Sequence, residues 1–394
     1  MNIHVNPQTS SRILGRAAAG HRLSRDEIIA LYGLPADEVA QAAHEARLRQ
    51  TDPETATYSI GGNIDYTNVC TVACRFCAFY RARHQEGAYT LSFDEIARQM
   101  DEIVRVGGSD VLMQGGVNPD LAFSWYLDLM RMLKRDYPQV HVDALSPEEI
   151  LGLEKLTGRA AYDLLAELKD AGLDGMPGAA SEILVDEVRR NAAPTRIMTG
   201  DWFRIVDAAQ SLHLQIAWVG MVTGFGETLG QRVEHLLALR EQQERALQRY
   251  GSGFAAYKVW PARLEHTRLK NMASQQSGDE IAAEYVRNVA ISRLALDNFV
   301  NHRAVWRTMG FAVATTALRS GANDLCGTGS INAINATIVA AGKHLPDPNQ
   351  ALLIEVRRCI EDAGFVPALR DPYYNVLARD ERKTEAMAAR NDGN

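Results

Sequence analysis

From Ile64 onward, short apolar runs alternate with amphipathic stretches of helical period, and this alternation restricts the chain more than any other feature. Such a succession folds as βα units around a parallel sheet. Strands are predicted over Ile64–Tyr66, Asp110–Gln114, Val140–Ala144, Leu173–Met176, Gln215–Val222 and Ala255–Val259, with Phe311–Thr315 as a seventh and Asp324–Leu325 as an eighth. Gln215–Val222 is almost continuously apolar, as a strand covered on both faces must be. Between the strands, Ser92 and Glu95 have the spacing of a capping box, which opens a helix running to Val106. Further helices are predicted over Ala122–Asp136, Tyr162–Ala171, Asp201–Leu212, Arg232–Gln248, Asp279–Leu296 and Ile334–Ala341. The count predicts an α/β fold, a (β/α)8 TIM-type barrel with its function at the C-terminal ends of the strands. Residues 11 to 50 read as helices, one opened by Ser24 and Glu27, and Gln350–Ala363 reads as a last helix followed by a solvated segment. The expected organisation is an N-terminal helical extension over 1–60, a barrel over 61–345, and a C-terminal helix and tail over 346–394 packing on the barrel.

Three of the five cysteines, Cys70, Cys74 and Cys77, fall directly after the first predicted strand in the spacing C-x3-C-x2-C. Three thiolates on one short loop can hold three irons of a [4Fe–4S] cluster, a group that normally takes four cysteines. The missing fourth leaves one iron open to a ligand. Structural zinc is the alternative, with His84 as a possible fourth ligand, but there is no second C-x2-C. A disulfide framework does not suit an odd cluster of thiols. Cys326 and Cys359, far downstream, read as plain thiols. Phe76, Phe79 and Tyr80 flank the cysteines, where aromatic rings shield a cluster from water or stack on a ligand.

The runs NIDYTNVC, CRFCAFYR, LSFDEI, LMQGGVNPDL, HVDALSPEEI and AGLDGMPGAASEILVDEVR resemble the radical S-adenosylmethionine (AdoMet) superfamily. Within it they are similar to the group of dehypoxanthine futalosine cyclase, aminofutalosine synthase and the larger subunit of the deazaflavin (FO) synthase. The resemblance spans roughly residues 60 to 375. It implies that Cys70, Cys74 and Cys77 hold a [4Fe–4S] cluster, and that AdoMet binds the open iron and yields a 5′-deoxyadenosyl radical. It implies AdoMet contacts from Phe76, from Gln114, Gly115 and Gly116 after the second strand, and from Gly224 and Glu227 after the fifth. His141 and Asp143, on one face of the third strand by period two, and Glu182, after the fourth, are the implied catalytic residues. The implied reaction is radical C–C bond formation on a nucleoside-like substrate. For the cyclase, a hydrogen is taken from ribose C4′ of dehypoxanthine futalosine, the carbon radical adds to the benzoate ring, and an electron and a proton leave, a step of menaquinone biosynthesis. The sequence departs from the cyclase pattern at Phe225, where a histidine is usual, at Ala179 and Ala180, and at Asn332 and Asn335, where acids are usual. An alternative is therefore a divergent paralogue with the same cofactors and another substrate, such as the tyrosine-derived coupling of deazaflavin synthesis. A metal-stabilised binding barrel without AdoMet cleavage is a third reading. Arg189 and Arg196 read as solvated helix-face charges or as carboxylate donors.

Composition adds boundaries. The chain is 46% hydrophobic and 23% charged, an ordinary globular balance, and its net charge of −7 argues against a nucleic-acid partner. No apolar run is long enough for a membrane span, and Met1–Ser10 lacks the apolar core of a signal peptide. A cytoplasmic enzyme is expected, reduced by an electron donor such as flavodoxin or ferredoxin.

Overall fold

A computed structural model describes residues 6–272, 276–325 and 348–380. Its strands are β1 (Thr55–Tyr58), β2 (Gly61–Thr67), β3 (Asp110–Gly115), β4 (His141–Ala144), β5 (Gly175–Met176), β6 (Gln215–Ile216), β7 (Val219–Thr223), β8 (Tyr257–Pro261), β9 (His302–Ala304), β10 (Asp324–Leu325), β11 (Val366–Arg370) and β12 (Val376–Arg379). They form a five-stranded sheet in the order β2-β3-β4-β5-β6 and a seven-stranded sheet in the order β12-β11-β1-β10-β9-β8-β7. Every pairing is parallel except β11 with β12.

The chain crosses from one sheet to the other at two seams, Ser59–Ile60 and Ala217–Trp218. Backbone hydrogen bonds span both: Ser109 N–H donates to Ile60 O at 2.9 Å, and Gly178 N–H to Trp218 O at 2.8 Å. The strand order thus runs around and returns to the Thr55–Thr67 segment, in the manner of a (β/α)8 barrel. Among the described residues the ladders form these two sheets rather than one closed ring.

The helices lie where burial and capping dictate. Phe93–Arg105 buries Ile96, Met100 and Ile103, spaced four and three apart on one face. Capping boxes open the helices that follow Ser24, Ser92, Ser146, Thr228 and Ser277. β4 and β7 are buried along their whole length, as strands covered on both faces are.

Four local expectations are corrected. The predicted seventh strand, Phe311–Thr315, is the start of the helix Phe311–Arg319, whose buried Ala314, Ala317 and Leu318 follow helical spacing; the seventh strand is β9. The helix Pro147–Thr157 was not foreseen, although Ser146 and Glu149 make a full capping box. β1, not predicted as a strand, joins the main sheet between β10 and β11. The segment read as solvated after the last helix contains β11, which pairs in parallel with β1, and β12. The predicted helix Ile334–Ala341 and the departures Asn332 and Asn335 lie outside the described residues.

Candidate active site

The cysteine loop leaves the C-terminal end of β2 and is clamped by backbone. Cys70 N–H donates to Arg81 O at 3.1 Å, Arg81 N–H to Asn68 O at 2.9 Å, and Thr71 N–H to Val117 O at 2.9 Å. Val117 N–H also donates to Cys70 Sγ at 3.3 Å. Asn118, buried, ties Thr67 and Thr90 together through Nδ2, each contact 3.1 Å. Ala73 turns the loop at φ 53°. The loop is held in shape by contacts that do not involve the thiols of Cys74 and Cys77.

All three cysteines are free thiols and line one cleft of about 520 Å³, together with Phe76, Gln114, Gly115, Gly116, Glu148, Glu149, Ala179, Ala180, Glu182, Arg196, Trp218, Val222 and Phe225. Among the described residues no three metal-binding side chains converge as a single ion requires. A four-iron cluster needs only one thiolate per iron, facing a common cavity. Burial pushes the Cys70 thiol up and the Cys74 thiol up to about 11, Arg196 countering part of the latter. Of the remaining cysteines, Cys359 is buried among the outer helices and Cys326 lies outside the described residues.

Gln114, Gly115 and Gly116 reach this cleft from the end of β3. The two glycines meet a packing constraint: a Cβ on Gly116 would lie 2.2 Å from Val69 O, and one on Gly115 would lie 2.5 Å from the Tyr66 ring. Their smallness lets β3 press against the cysteine loop. Glu149 fastens the same corner. Its carboxylate accepts from Gly115 N–H at 3.1 Å, Ser146 N–H at 2.8 Å and the Tyr66 hydroxyl. Burial pushes its pKa up to about 7 against those hydrogen bonds.

Glu182 and Arg196 meet in the wall of the cleft. Arg196 Nη2 donates to Glu182 Oε1 at 2.7 Å, Nη1 approaches Cys74 Sγ at 3.4 Å, and the guanidinium lies 4.9 Å from the centroid of Phe76. Burial opposes its charge, but Glu182, Cys74 and Glu148 outweigh that and hold it firmly protonated. Glu182 Oε2 and Arg196 Nε are buried and have no hydrogen-bond partner within the protein. Arg189 is also buried; it donates to the carbonyls of Ala180, Ile183 and Ile197 and so fixes the loop that carries Glu182. Neither arginine is the solvated helix-face charge that local spacing suggested.

The remaining predicted residues fall into separate roles. Phe225 lines the cleft, with its ring centroid 5.0 Å from that of Phe76. Glu227 accepts from Gly224 N–H at 3.0 Å and Phe225 N–H at 2.8 Å and pairs with Arg232 at 2.8 Å, so it shapes the turn from outside the cleft. Gly224 lines a neighbouring cavity of about 240 Å³ with Arg232 and Glu284. His141 and Asp143 are both buried and bonded to each other, Nε2 to Oδ1, at 3.1 Å. Asp143 lines a second, deeper chamber of about 310 Å³, while the His141 ring packs on Tyr373.

A parallel α/β enzyme architecture with three thiols, a carboxylate and a guanidinium in one cleft at the strand ends defines a class, and the comparisons with known proteins agree with it. Residues 64–239 match the radical SAM superfamily profile, and residues 251–383 match the CofH/MqnC C-terminal region. The chain is 35% identical to the cyclic dehypoxanthine futalosine synthase of Halalkalibacterium halodurans over 95% of this chain and 96% of that protein. It is 33% identical to the enzyme of the same name from Streptomyces coelicolor, over 93% of this chain and 88% of that one. The 5-amino-6-(D-ribitylamino)uracil–L-tyrosine 4-hydroxyphenyl transferase of a Cyanothece species is 35% identical over 83% of this chain and 88% of its own. The fold is that of HydG from Carboxydothermus hydrogenoformans, with TM-score 0.65 at 17% identity over 93% of this chain and 81% of that one. Methylornithine synthase PylB gives 0.62 at 13% identity over 87% and 99%. The chain belongs to the radical SAM superfamily and is an enzyme of that type. A [4Fe–4S] cluster and AdoMet follow from the family. No helix among the described residues is long and apolar enough to cross a membrane.

Proposed function

We propose that the protein cyclises dehypoxanthine futalosine by radical C–C bond formation, the reaction named for its full-length relatives. The observation that carries the reading is the cleft itself, where three thiols stand beside the Glu182–Arg196 ion pair, of which two buried polar atoms, Glu182 Oε2 and Arg196 Nε, have no hydrogen-bond partner within the protein. A buried acceptor and a buried donor left unsatisfied on such a pair suit a ligand that carries both a donor and an acceptor. The α-ammonium and α-carboxylate of AdoMet are such a pair. Cys70, Cys74 and Cys77 would hold the cluster, Glu182 would take the ammonium and Arg196 the carboxylate, and Phe76, Gln114, Gly115 and Gly116 would bound the rest. Gly224 and Glu227 would act by holding Phe225 in place. When bound, the cluster and AdoMet supply a one-electron route to a radical that accepts a hydrogen atom.

The chain's own residues then orient and shield. Phe76, Phe225, Val222 and Trp218 make one wall of the cleft apolar and keep water from the reacting carbons. Closing the new ring sheds an electron, for which the oxidised cluster would be the acceptor, and a proton, which Asp143 is the carboxylate to take at Oδ1. His141 outweighs its own burial through Asp143: its pKa is raised, so it can share that proton. An acidic one-electron donor of the flavodoxin or ferredoxin kind suits the cysteine loop, which exposes Phe79 and Arg75 and whose Tyr80 ring lies under the exposed Arg268.

The test is anaerobic incubation of cluster-reconstituted protein with dithionite, AdoMet and dehypoxanthine futalosine, read by mass spectrometry. The expected result is 5′-deoxyadenosine together with a product two hydrogens lighter than the substrate. Deoxyadenosine with unaltered futalosine overturns the substrate assignment.

A further inference from the structure

The thiols of the cysteine loop do not share one electrostatic environment. Cys70 Sγ accepts from a neutral backbone amide, Val117 N–H, at 3.3 Å. Cys74 Sγ instead accepts from a cation, Arg196 Nη1, at 3.4 Å. Both members of this contact are shut away from water. The Arg196 side chain is 11% exposed, Cys74 is buried, and the Phe76 ring lies 4.9 Å from the guanidinium. A charge placed so is felt by its neighbours more strongly than it would be in water.

Two carboxylates hold the guanidinium. Nη2 donates to Glu182 Oε1 at 2.7 Å, and Nε lies 3.8 Å from Glu148 Oε2. The backbone that carries Arg196 is fixed to the cysteine loop by contacts that do not use the guanidinium. Thr195 Oγ1 donates to Val72 O, Arg75 Nη1 donates to Asn191 O at 3.1 Å, and Ala193 packs with Val72 and Cys74. The fold therefore keeps position 196 beside Cys74 even when its charge is removed.

Hydrogen bonds to the ligand sulfurs of an iron–sulfur cluster, and the charges around them, set its reduction potential. Reduction adds one electron, with no bond broken and no proton moved. A cation at a sulfur favours the reduced form, and a carboxylate behind that cation opposes it. A charge-assisted hydrogen bond is about twice as strong as a neutral one, so Arg196 outweighs Val117.

We infer that Arg196 raises the reduction potential of the cluster through its hydrogen bond to Cys74, and that Glu182 and Glu148 trim that effect. The inference rests on the assignment of the cluster to Cys70, Cys74 and Cys77 made above. It gives Arg196 a part in accepting the electron besides its proposed contact with the AdoMet carboxylate.

The test is a potentiometric titration of cluster-reconstituted protein with dithionite, without AdoMet or futalosine, following the paramagnetic signal of the reduced cluster. Arg196→Gln is expected to lower the midpoint by about 59 mV or more, a tenfold change in the one-electron equilibrium and the scale of one lost charge-assisted hydrogen bond. Glu182→Gln keeps an acceptor for Nη2 and loses only the charge, so it should raise the midpoint. Loosening of the loop would not give the two halves of one ion pair opposite signs. Arg75→Gln removes an exposed cation of the same loop that donates to a carbonyl rather than a sulfur, and its midpoint should stay close to that of the wild type. An unchanged or higher midpoint in Arg196→Gln, an unchanged or lower one in Glu182→Gln, or an equal fall in Arg75→Gln overturns the inference. If Arg196→Gln takes up no cluster, the sign of the Glu182→Gln shift decides. A wild type without a four-iron signal refutes both the cluster assignment and this inference. Turnover of futalosine by the wild type with unshifted variants keeps the function and refutes the inference. Shifted midpoints in an enzyme that leaves futalosine unaltered keep the inference and refute the function.

Discussion

Gly116→Ala is a one-carbon change whose outcome follows from a single distance. The added methyl would start 2.2 Å from Val69 O and 2.7 Å from Cys70 Cβ, and Gly116 N–H is already bonded to Thr67 O at 2.9 Å. Ordinary carbon–oxygen contacts begin at about 3.3 Å. One backbone must therefore retreat by about 1 Å, and the obstruction is main chain rather than a side-chain tip. Overpacking of this kind costs about 1–3 kcal/mol, and a displacement of that size at a reactive centre lowers rates about 100-fold. The retreating segment contains Cys70. We expect Gly116→Ala to retain its fold, with a thermal midpoint a few degrees lower, and to lose most of its iron after anaerobic reconstitution, read as iron per chain and by the cluster's paramagnetic signal. Gly200→Ala is the matched control: nothing lies within 4 Å of a Cβ there, and the site is helical, so the substitution should stabilise by about 0.4–1 kcal/mol. Full iron content and wild-type turnover in Gly116→Ala would refute the packing argument. Normal iron with weakened AdoMet binding would show instead that the glycine is there for the ligand.

Arg196→Gln leaves Glu182 and Glu148 without their cation and should weaken AdoMet binding about 30-fold or more, with Arg196→Lys recovering only part; an unchanged Kd by equilibrium dialysis counts against the pairing with the AdoMet carboxylate. His235, fully buried, accepts from Leu184 N–H at 3.0 Å, and burial first, Arg189 second, push its pKa down to about 3. A depressed folded value means that the neutral ring's contribution is complete above the unfolded pKa of 6.5 and is lost as pH falls toward 3. Between pH 7.5 and 5.0 this site should cost about 2 kcal/mol of stability, from 1.5 pH units at 1.36 kcal/mol each. His235→Asn keeps an acceptor for Leu184 and cannot be protonated, so urea unfolding at the two pH values should show a correspondingly smaller loss. Equal losses in the two proteins would show that His235 is not the source.

The cysteines, the glycine turn and most strands were legible because each is a local pattern: a spacing, a breaker, an apolar run. Arg189 and Arg196 were not, because their burial is decided by a segment folding back over the cysteine loop, where Thr195 Oγ1 donates to Val72 O. Glu149 was within reach, since Ser146 and Glu149 have the capping-box spacing, but its reach to Gly115 depends on β3 and β4 lying side by side. Glu227 shows the converse: its position after a glycine turn was plain, yet its carboxylate turns inward to backbone amides. β11 escaped because Pro367 speaks against a strand, while its parallel partner β1 lies far away in sequence.

That last pairing bears on how the protein is made. β1 takes its neighbours from β10 and β11, so Thr55 waits for Val366 before its ladder is complete. During synthesis the first strand to emerge presents an unpaired edge until nearly all of the described chain has been translated. Contacts of such sequence separation slow folding and leave an aggregation-prone edge open meanwhile. Within residues 7–50 the helices Pro7–Ala18 and Ala36–Gln50 pack on each other and can meet in that interval, while Ala36–Gln50 still waits for Gly278–Ala295 and Arg25–Leu31 for Leu229–Tyr250.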